Sequence, residues 1–161
     1  SLGGAVAICL ATLQKKRVKS LVLTESNLDP SESRAVSRKI GSQSREDFLC
    51  QGYNALLASA RKKNPLWGAT LAHWLPEAAY GISCSAMRGG TPSWRQQLYA
   101  LHMPRTFLFG ERSLPSEDVE ALPRHGVHVG IIPNAGHSMG LENPAALAEA
   151  IARAANDQKE R

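Results

Sequence analysis

The sequence predicts an α/β protein: a mostly parallel sheet flanked by helices, with a helical insertion. Three observations carry this. The runs VKSLVLTE (18–25), RTFLFG (105–110) and VHVGIIP (127–133) have the length and apolar content of buried strands. Helical patterns stand between and around them, and strands alternating with helices build a parallel sheet covered on both faces. Between the first two runs, residues 30–100 show helical periodicity and no clear strand.

Taken in order, residues 2–16 read as a helix, with Val6, Leu10 and Leu13 near one face and Gly3, Gly4 and Ala5 allowing close backbone approach. Lys15, Lys16 and Arg17 are placed at its C-terminal end, where cations suit the helix dipole. After the first strand, Asp29 is an N-cap, Pro30 the first helical residue and Glu32 the return partner of a capping box. In the insertion, Phe48, Leu49, Tyr53, Leu56, Leu57 and Ala60 form one apolar stripe, and Arg61-Lys62-Lys63 closes that helix. Pro65, Pro76 and the stretch Gly89-Gly90-Thr91-Pro92 punctuate the rest. A short helix over 116–124 separates the second and third strands. The loop NAGHSMG leads to a last helix capped by Asn143, with Pro144 in its first turn and Leu147, Ile151 and Ala154 at helical spacing. The final NDQKER is expected to fray.

The 161 residues fit one domain able to bury a core, and no apolar run approaches the length of a membrane span. The net charge of +5 comes from scattered basic residues and is read as solvated helix ends, not a nucleic-acid footprint. Cys9, Cys50 and Cys84 are widely spaced and form no C-x-x-C, so neither a disulfide framework nor a zinc site is expected; Cys9 reads as a small core residue. A cytoplasmic setting is favoured, and the oligomeric state is left open.

Two serines compete for one motif. The only complete G-x-S-x-G is GHSMG, 136–140, which points to Ser138. That motif works when a helix starts at the serine, so that its first amides face a developing oxyanion. After Ser138 the chain runs through MGLEN before a helix starts near Pro144, and no histidine follows. Ser1, followed by LGGAVA, can start a helix at once. GHSMG is therefore read as the loop carrying a base, His137. The other histidines, His73, His102, His125 and His128, lie in the insertion or in connecting segments and are read as solvated or half-buried.

SLGGAVA, a strand ending in an acid, a helical insertion, RTFLFGERS and NAGHSMGLENPAALAEAIA together resemble the C-terminal part of an α/β-hydrolase, starting at the nucleophile elbow. The resemblance implies a partial α/β-hydrolase fold, with core 1–29 and 91–161 and a helical cap insertion over 30–90. It implies a serine hydrolase in which Ser1 attacks a carbonyl, His137 takes its proton and an acid orients His137. One oxyanion donor would be the backbone amide of Leu2, and the second would come from a loop before residue 1. The chain alone is accordingly expected to be inactive.

The acid is less direct. The family usually places an aspartate shortly after the strand equivalent to 105–110, and this chain has Ser113 there. Glu25 ends the strand that follows the nucleophile helix, 24 residues on from Ser1, and one helix out and one strand back returns it to the same sheet edge. Glu25 is the preferred acid, with Asp29 and Glu111 as alternatives, while Asp118 on its short helix is too far. A serine nucleophile implies an acyl-enzyme, hence an ester or related small-molecule acyl substrate. The insertion's Phe48, Tyr53, Leu66, Trp67, Trp74, Leu75, Tyr80 and Met87 would line a roof over the site. No metal-ligand set or phosphate loop is evident, so neither metal nor cofactor is expected. The rival readings are a non-catalytic binding protein of the same fold, motivated by Ser113, and a hydrolase using the Ser1 amine as its own base, which the βα alternation argues against.

Overall fold

The structure, a computed structural model, describes residues 1–30 and 36–156. The chain forms two compact units, one from Ser1–Leu28 and the chain from Thr91 onward, the other from Asp29–Gly90.

The first unit holds a parallel sheet of three strands in the order β1-β2-β3: β1 (Leu21–Thr24), β2 (Arg105–Gly110) and β3 (His128–Ile132). Leu21 pairs with Arg105 and Thr24 with Leu108, while Thr106 pairs with His128 and Gly110 with Ile132. The central strand β2 is buried over Thr106–Gly110, as its continuous apolar run requires. β2 spans its sequence pattern in full, whereas β1 and β3 are shorter than theirs, and the residues left over after them form loops of the site.

Helix α1 (Leu2–Leu13) precedes β1 and differs from expectation in two ways. It ends at Leu13, so Lys15, Lys16 and Arg17 lie beyond it in a turn closed by Arg17 and Val18 N–H bonds to the Gln14 carbonyl. The chain has to reverse there to enter β1, and that outweighs the helix propensity of Lys and Arg. Its packed face is Ala5, Ile8 and Ala11, whereas Val6, Leu10 and Leu13 are exposed. The helix is apolar almost all round, so periodicity could not select the face; the small residues did, by admitting close approach. A Cβ on Gly4 would run into the Ser26 side chain, whereas Gly3 faces open space. Cys9 is half-buried, not a core residue.

The second unit is helical throughout its described part. It comprises α2 (Val36–Gly41), α3 (Arg45–Asp47), a π-turn (Phe48–Gly52), α4 (Tyr53–Lys63), α5 (Pro65–Leu71) and α6 (Pro76–Arg88). Its core is Ile40, Phe48 and Ala79, with Leu49, Tyr53, Leu56 and Tyr80 packed around them. The π-turn that opens α4 was not foreseen. The capping box predicted with Glu32 lies outside the described residues.

Back in the first unit, α7 (Trp94–Tyr99) is closed by a complete Ser93–Gln96 capping box. Helix α8 is a single turn (Asp118–Ala121), shorter than predicted, because Pro123 begins a separate 3-10 turn. Helices α9 (Met139–Glu142) and α10 (Pro144–Asn156) follow β3. The Asn143 side chain accepts the Ala146 N–H at 3.2 Å, the cap expected of it. The buried face of α10 is Ala150 and Ala154, with Ile151 exposed. Leu108, Ile132, Ala135, Met139 and Ala150 form the core that ties β2, β3, the His137 loop, α9 and α10 together.

Candidate active site

Ser1 stands at the N-cap of α1, and its side chain makes no capping hydrogen bond. A serine at this position ordinarily spends its hydroxyl on a first-turn amide; here it makes no such bond, and the residue is exposed. The backbone of Ser1 is fixed beside the end of β1. Its nitrogen lies 3.4 Å from the Thr24 carbonyl oxygen, and its own carbonyl accepts the N–H groups of Gly4 and Asn27 at 3.1 Å each. Leu2 opens the helix, so its amide is among the first-turn donors that no carbonyl within the helix can satisfy.

Glu25 follows β1 directly. Its N–H continues the ladder to the Leu108 carbonyl at 3.0 Å, and the chain then turns sharply, with Glu25 at φ 40°. A non-glycine residue in that left-handed region costs about 1–2 kcal/mol, and such strain recurs at functional sites. The turn sends the side chain across the end of β2. There Oε1 accepts the Gly110 N–H at 2.8 Å, and Oε2 lies 2.8 Å from Nδ1 of His137.

His137 is carried by the loop between β3 and α9, which is held at several points. The Glu111 carboxylate accepts the Asn134 N–H at 2.8 Å, the Ala135 carbonyl accepts the Arg112 N–H at 2.8 Å, and the Glu142 carboxylate accepts the Gly136 N–H at 2.5 Å. Asn143 donates its side-chain amide to the Pro133 carbonyl at 2.8 Å. Gly110 lets this loop lie against β2, since a Cβ there would run into the carbonyl oxygens of Ala135 and Gly136.

The carboxylate is only 12% exposed, whereas the imidazole is 58% exposed. Burial pushes the Glu25 pKa up, but hydrogen bonds from the Ser113 hydroxyl, the Gly110 amide and His137, with the charge of His137, outweigh it and leave it below its ordinary value. An ionised carboxylate only accepts, so Nδ1 of His137 is the donor, and in the neutral imidazole the free lone pair is then on Nε2. A neutral imidazole with Nδ1–H held by a buried carboxylate is arranged to take a proton at Nε2 and to carry the resulting charge. The Glu25 carboxylate also lies near the backbone nitrogen of Ser1.

The remaining candidates are placed elsewhere. Ser138 caps the one-turn helix α9 with its backbone. Glu111 is occupied by the Asn134 amide, and Asp29 falls in the helical unit. His125 is stacked on Tyr99 with ring centroids 3.8 Å apart, and His73, His102 and His128 are exposed. Asp118 forms an ion pair with Arg95 at 2.5 Å. Among the described residues, no group of His, Cys, Asp and Glu is placed to hold a metal ion. No helix among them is long and apolar enough to cross a membrane. Sequence reasoning missed the contributions of Gly110, Ser113 and Glu142. A glycine ending a strand next to a histidine loop is a usable signal for the first; nothing in the sequence marks the other two.

No protein-family model matches the chain, and no curated protein matches it in sequence. Solved structures do match it. A thermophilic esterase from Thermogutta terrifontis is similar at a TM-score of 0.62 and 22% identity, with 98% of this chain and 63% of that chain covered. The thioesterase domain from the curacin biosynthetic pathway is similar at 0.57 and 18% identity, covering 93% and 63%. An α/β-hydrolase enzyme from a Medee basin deep-sea metagenome library is similar at 0.65 and 17% identity, covering 97% and 62%. The chain thus spans less than two thirds of the length of each of these structures.

Proposed function

The chain carries part of an α/β-hydrolase fold, and from that premise we propose that it is the portion of a serine hydrolase that holds the nucleophile, base and acid. Ser1 is the nucleophile, His137 the base, Glu25 the acid, and the Leu2 amide one oxyanion donor. The observation that carries this reading is the 2.8 Å contact between Glu25 and His137, residues 112 apart in sequence, at the sheet edge where Ser1 begins α1.

The reaction follows from the arrangement. His137 Nε2 takes the Ser1 hydroxyl proton as Oγ bonds to the substrate carbonyl carbon. The carbonyl oxygen gains negative charge facing the Leu2 amide. The His137 proton passes to the leaving alcohol or thiol as its bond to carbon breaks, giving an acyl-Ser1 ester. Water, deprotonated by Nε2, then releases the carboxylic acid and restores Ser1. The substrate is a small ester or related acyl compound, and solved relatives of this fold include an esterase and a thioesterase domain. The helical unit Asp29–Gly90 stands where the family inserts its cap in the chain order. The second oxyanion donor is expected from a loop before residue 1, so a polypeptide of these residues alone should show no hydrolysis. The Ser113 substitution gives little support to a non-catalytic binding protein, because Glu25 already holds His137.

The test is fluorophosphonate labelling of the full gene product, with the modified residue mapped by mass spectrometry. Labelling at Ser1 is expected, abolished in His137→Ala. Labelling at Ser138, or none at all, contradicts the reading.

A further inference from the structure

We propose that Gly4 is a positioning residue: by letting the first turn of α1 lie directly on Ser26, it sets where Ser1 stands relative to the Glu25–His137 pair. The inference rests on Ser1, His137 and Glu25 being the proposed triad and adds the contact that spaces the nucleophile from the acid.

Glycine is a poor helix former, yet Gly4 stands within the first turn of α1. A Cβ at this position would overlap the Oγ and Cβ atoms of Ser26 and stand 3.1 Å from its Cα. Carbon atoms in contact rest about 3.5–4.0 Å apart. Turning Ser26 to another rotamer would move Oγ alone, because its Cβ is fixed by the backbone. The Ser26 side chain is also buried, with its hydroxyl donated to the Asn27 carbonyl at 3.2 Å. Relief therefore requires a backbone to move.

Which backbone moves follows from what holds each side. The residue before Ser26 is tied to β2 twice: the Glu25 N–H donates to the Leu108 carbonyl at 3.0 Å, and the Glu25 carboxylate accepts the Gly110 N–H at 2.8 Å. The first turn of α1 meets this anchored segment through Ser1. The Ser1 carbonyl accepts the N–H groups of both Gly4 and Asn27 at 3.1 Å, and its nitrogen lies 3.4 Å from the Thr24 carbonyl oxygen. A side chain at residue 4 would push the turn off Ser26, and Ser1, bonded to Gly4 in that turn, would move with it. A displacement on the order of 1 Å is enough to cost a catalytic site about 10²-fold in rate.

The experiment uses the full gene product as wild type, Gly4→Ala, Ser26→Gly and the double variant. Fluorophosphonate labelling of Ser1, kcat and KM on p-nitrophenyl acetate, and urea unfolding are measured on each. Gly4→Ala is expected to label about 10²-fold more slowly, with kcat reduced and KM unchanged. It should also unfold at lower urea, although alanine by itself favours a helix over glycine. In the double variant Ser26→Gly removes the atoms that the new methyl meets, so labelling should return to within about tenfold of Ser26→Gly alone. Labelling of Gly4→Ala at the wild-type rate, or a double variant as slow as Gly4→Ala, overturns the proposal. If Gly4→Ala does not fold, the double variant decides: labelling close to that of Ser26→Gly supports the contact, and a double variant that also fails to fold overturns it. If the wild type does not label at Ser1, the reading of function fails, and recovery of the urea midpoint by Ser26→Gly in the Gly4→Ala background still decides whether Gly4 is held against Ser26.

Discussion

Glu25 concentrates the opposing forces at this site: a strained backbone, a largely buried charge, and hydrogen bonds from the Gly110 amide and His137 that make the charge tolerable. Its lowered pKa couples it to stability. A carboxyl whose pKa falls on folding stabilises the native state above the ordinary carboxylate range, and that contribution is lost as pH falls through the lowered value. Glu25→Gln cannot titrate. We therefore expect wild type and Glu25→Gln to differ most in urea stability near neutral pH and to converge as the solution is taken below pH about 4. A difference that stays constant across that range would mean that the charge of Glu25 contributes nothing to folding. The residue also shows what a sequence can reveal. That Glu25 and Ser1 share a sheet edge followed from one helix and one adjacent strand, a matter of topology. The left-handed turn at Glu25 and its bond to the Gly110 amide did not follow, because each depends on tertiary placement that no local pattern encodes.

At the level of elements, the site depends on how closely the His137 loop lies against the end of β2. Gly110 sets that distance, since a side chain there would meet the carbonyls of Ala135 and Gly136. Gly110→Ala should cost about 1–3 kcal/mol of stability through overpacking and slow fluorophosphonate labelling by about 10²-fold, the effect of a displaced base. Gly81→Ala, within α6 and facing open space, should raise stability by about 0.5–1 kcal/mol. Urea unfolding and labelling rates check both, and equal effects of the two alanines would contradict the packing account. The order of helices and strands was legible from apolar runs, and so was the Asn143 cap, a matter of one side chain and the turn after it. The packed face of α1 was not. Where nearly every residue is apolar, periodicity carries no direction, and the small residues Ala5 and Ala11 decide which side meets the rest of the unit.

For the whole molecule, the chain spans less than two thirds of the length of the solved structures it resembles, at identities where fold is shared and chemistry has to be argued from the site. What makes the site persuasive is convergence. The end of β1, the end of β2, the loop after β3 and the start of α1 supply Glu25, Gly110, His137 and Ser1. Residues far apart in the chain thus meet at one edge of a parallel sheet, where ligands of open α/β folds bind. The central claim is that Glu25, not another carboxylate, holds the base. The most direct measurement is the rate of fluorophosphonate labelling of Ser1 in the full gene product carrying Glu25→Gln or Glu111→Gln. The account predicts a fall of about 10³–10⁴-fold for Glu25→Gln and a rate within a few-fold of wild type for Glu111→Gln, whose amide oxygen can still accept the Asn134 N–H. The reverse order, or equal rates in the two variants, would contradict it.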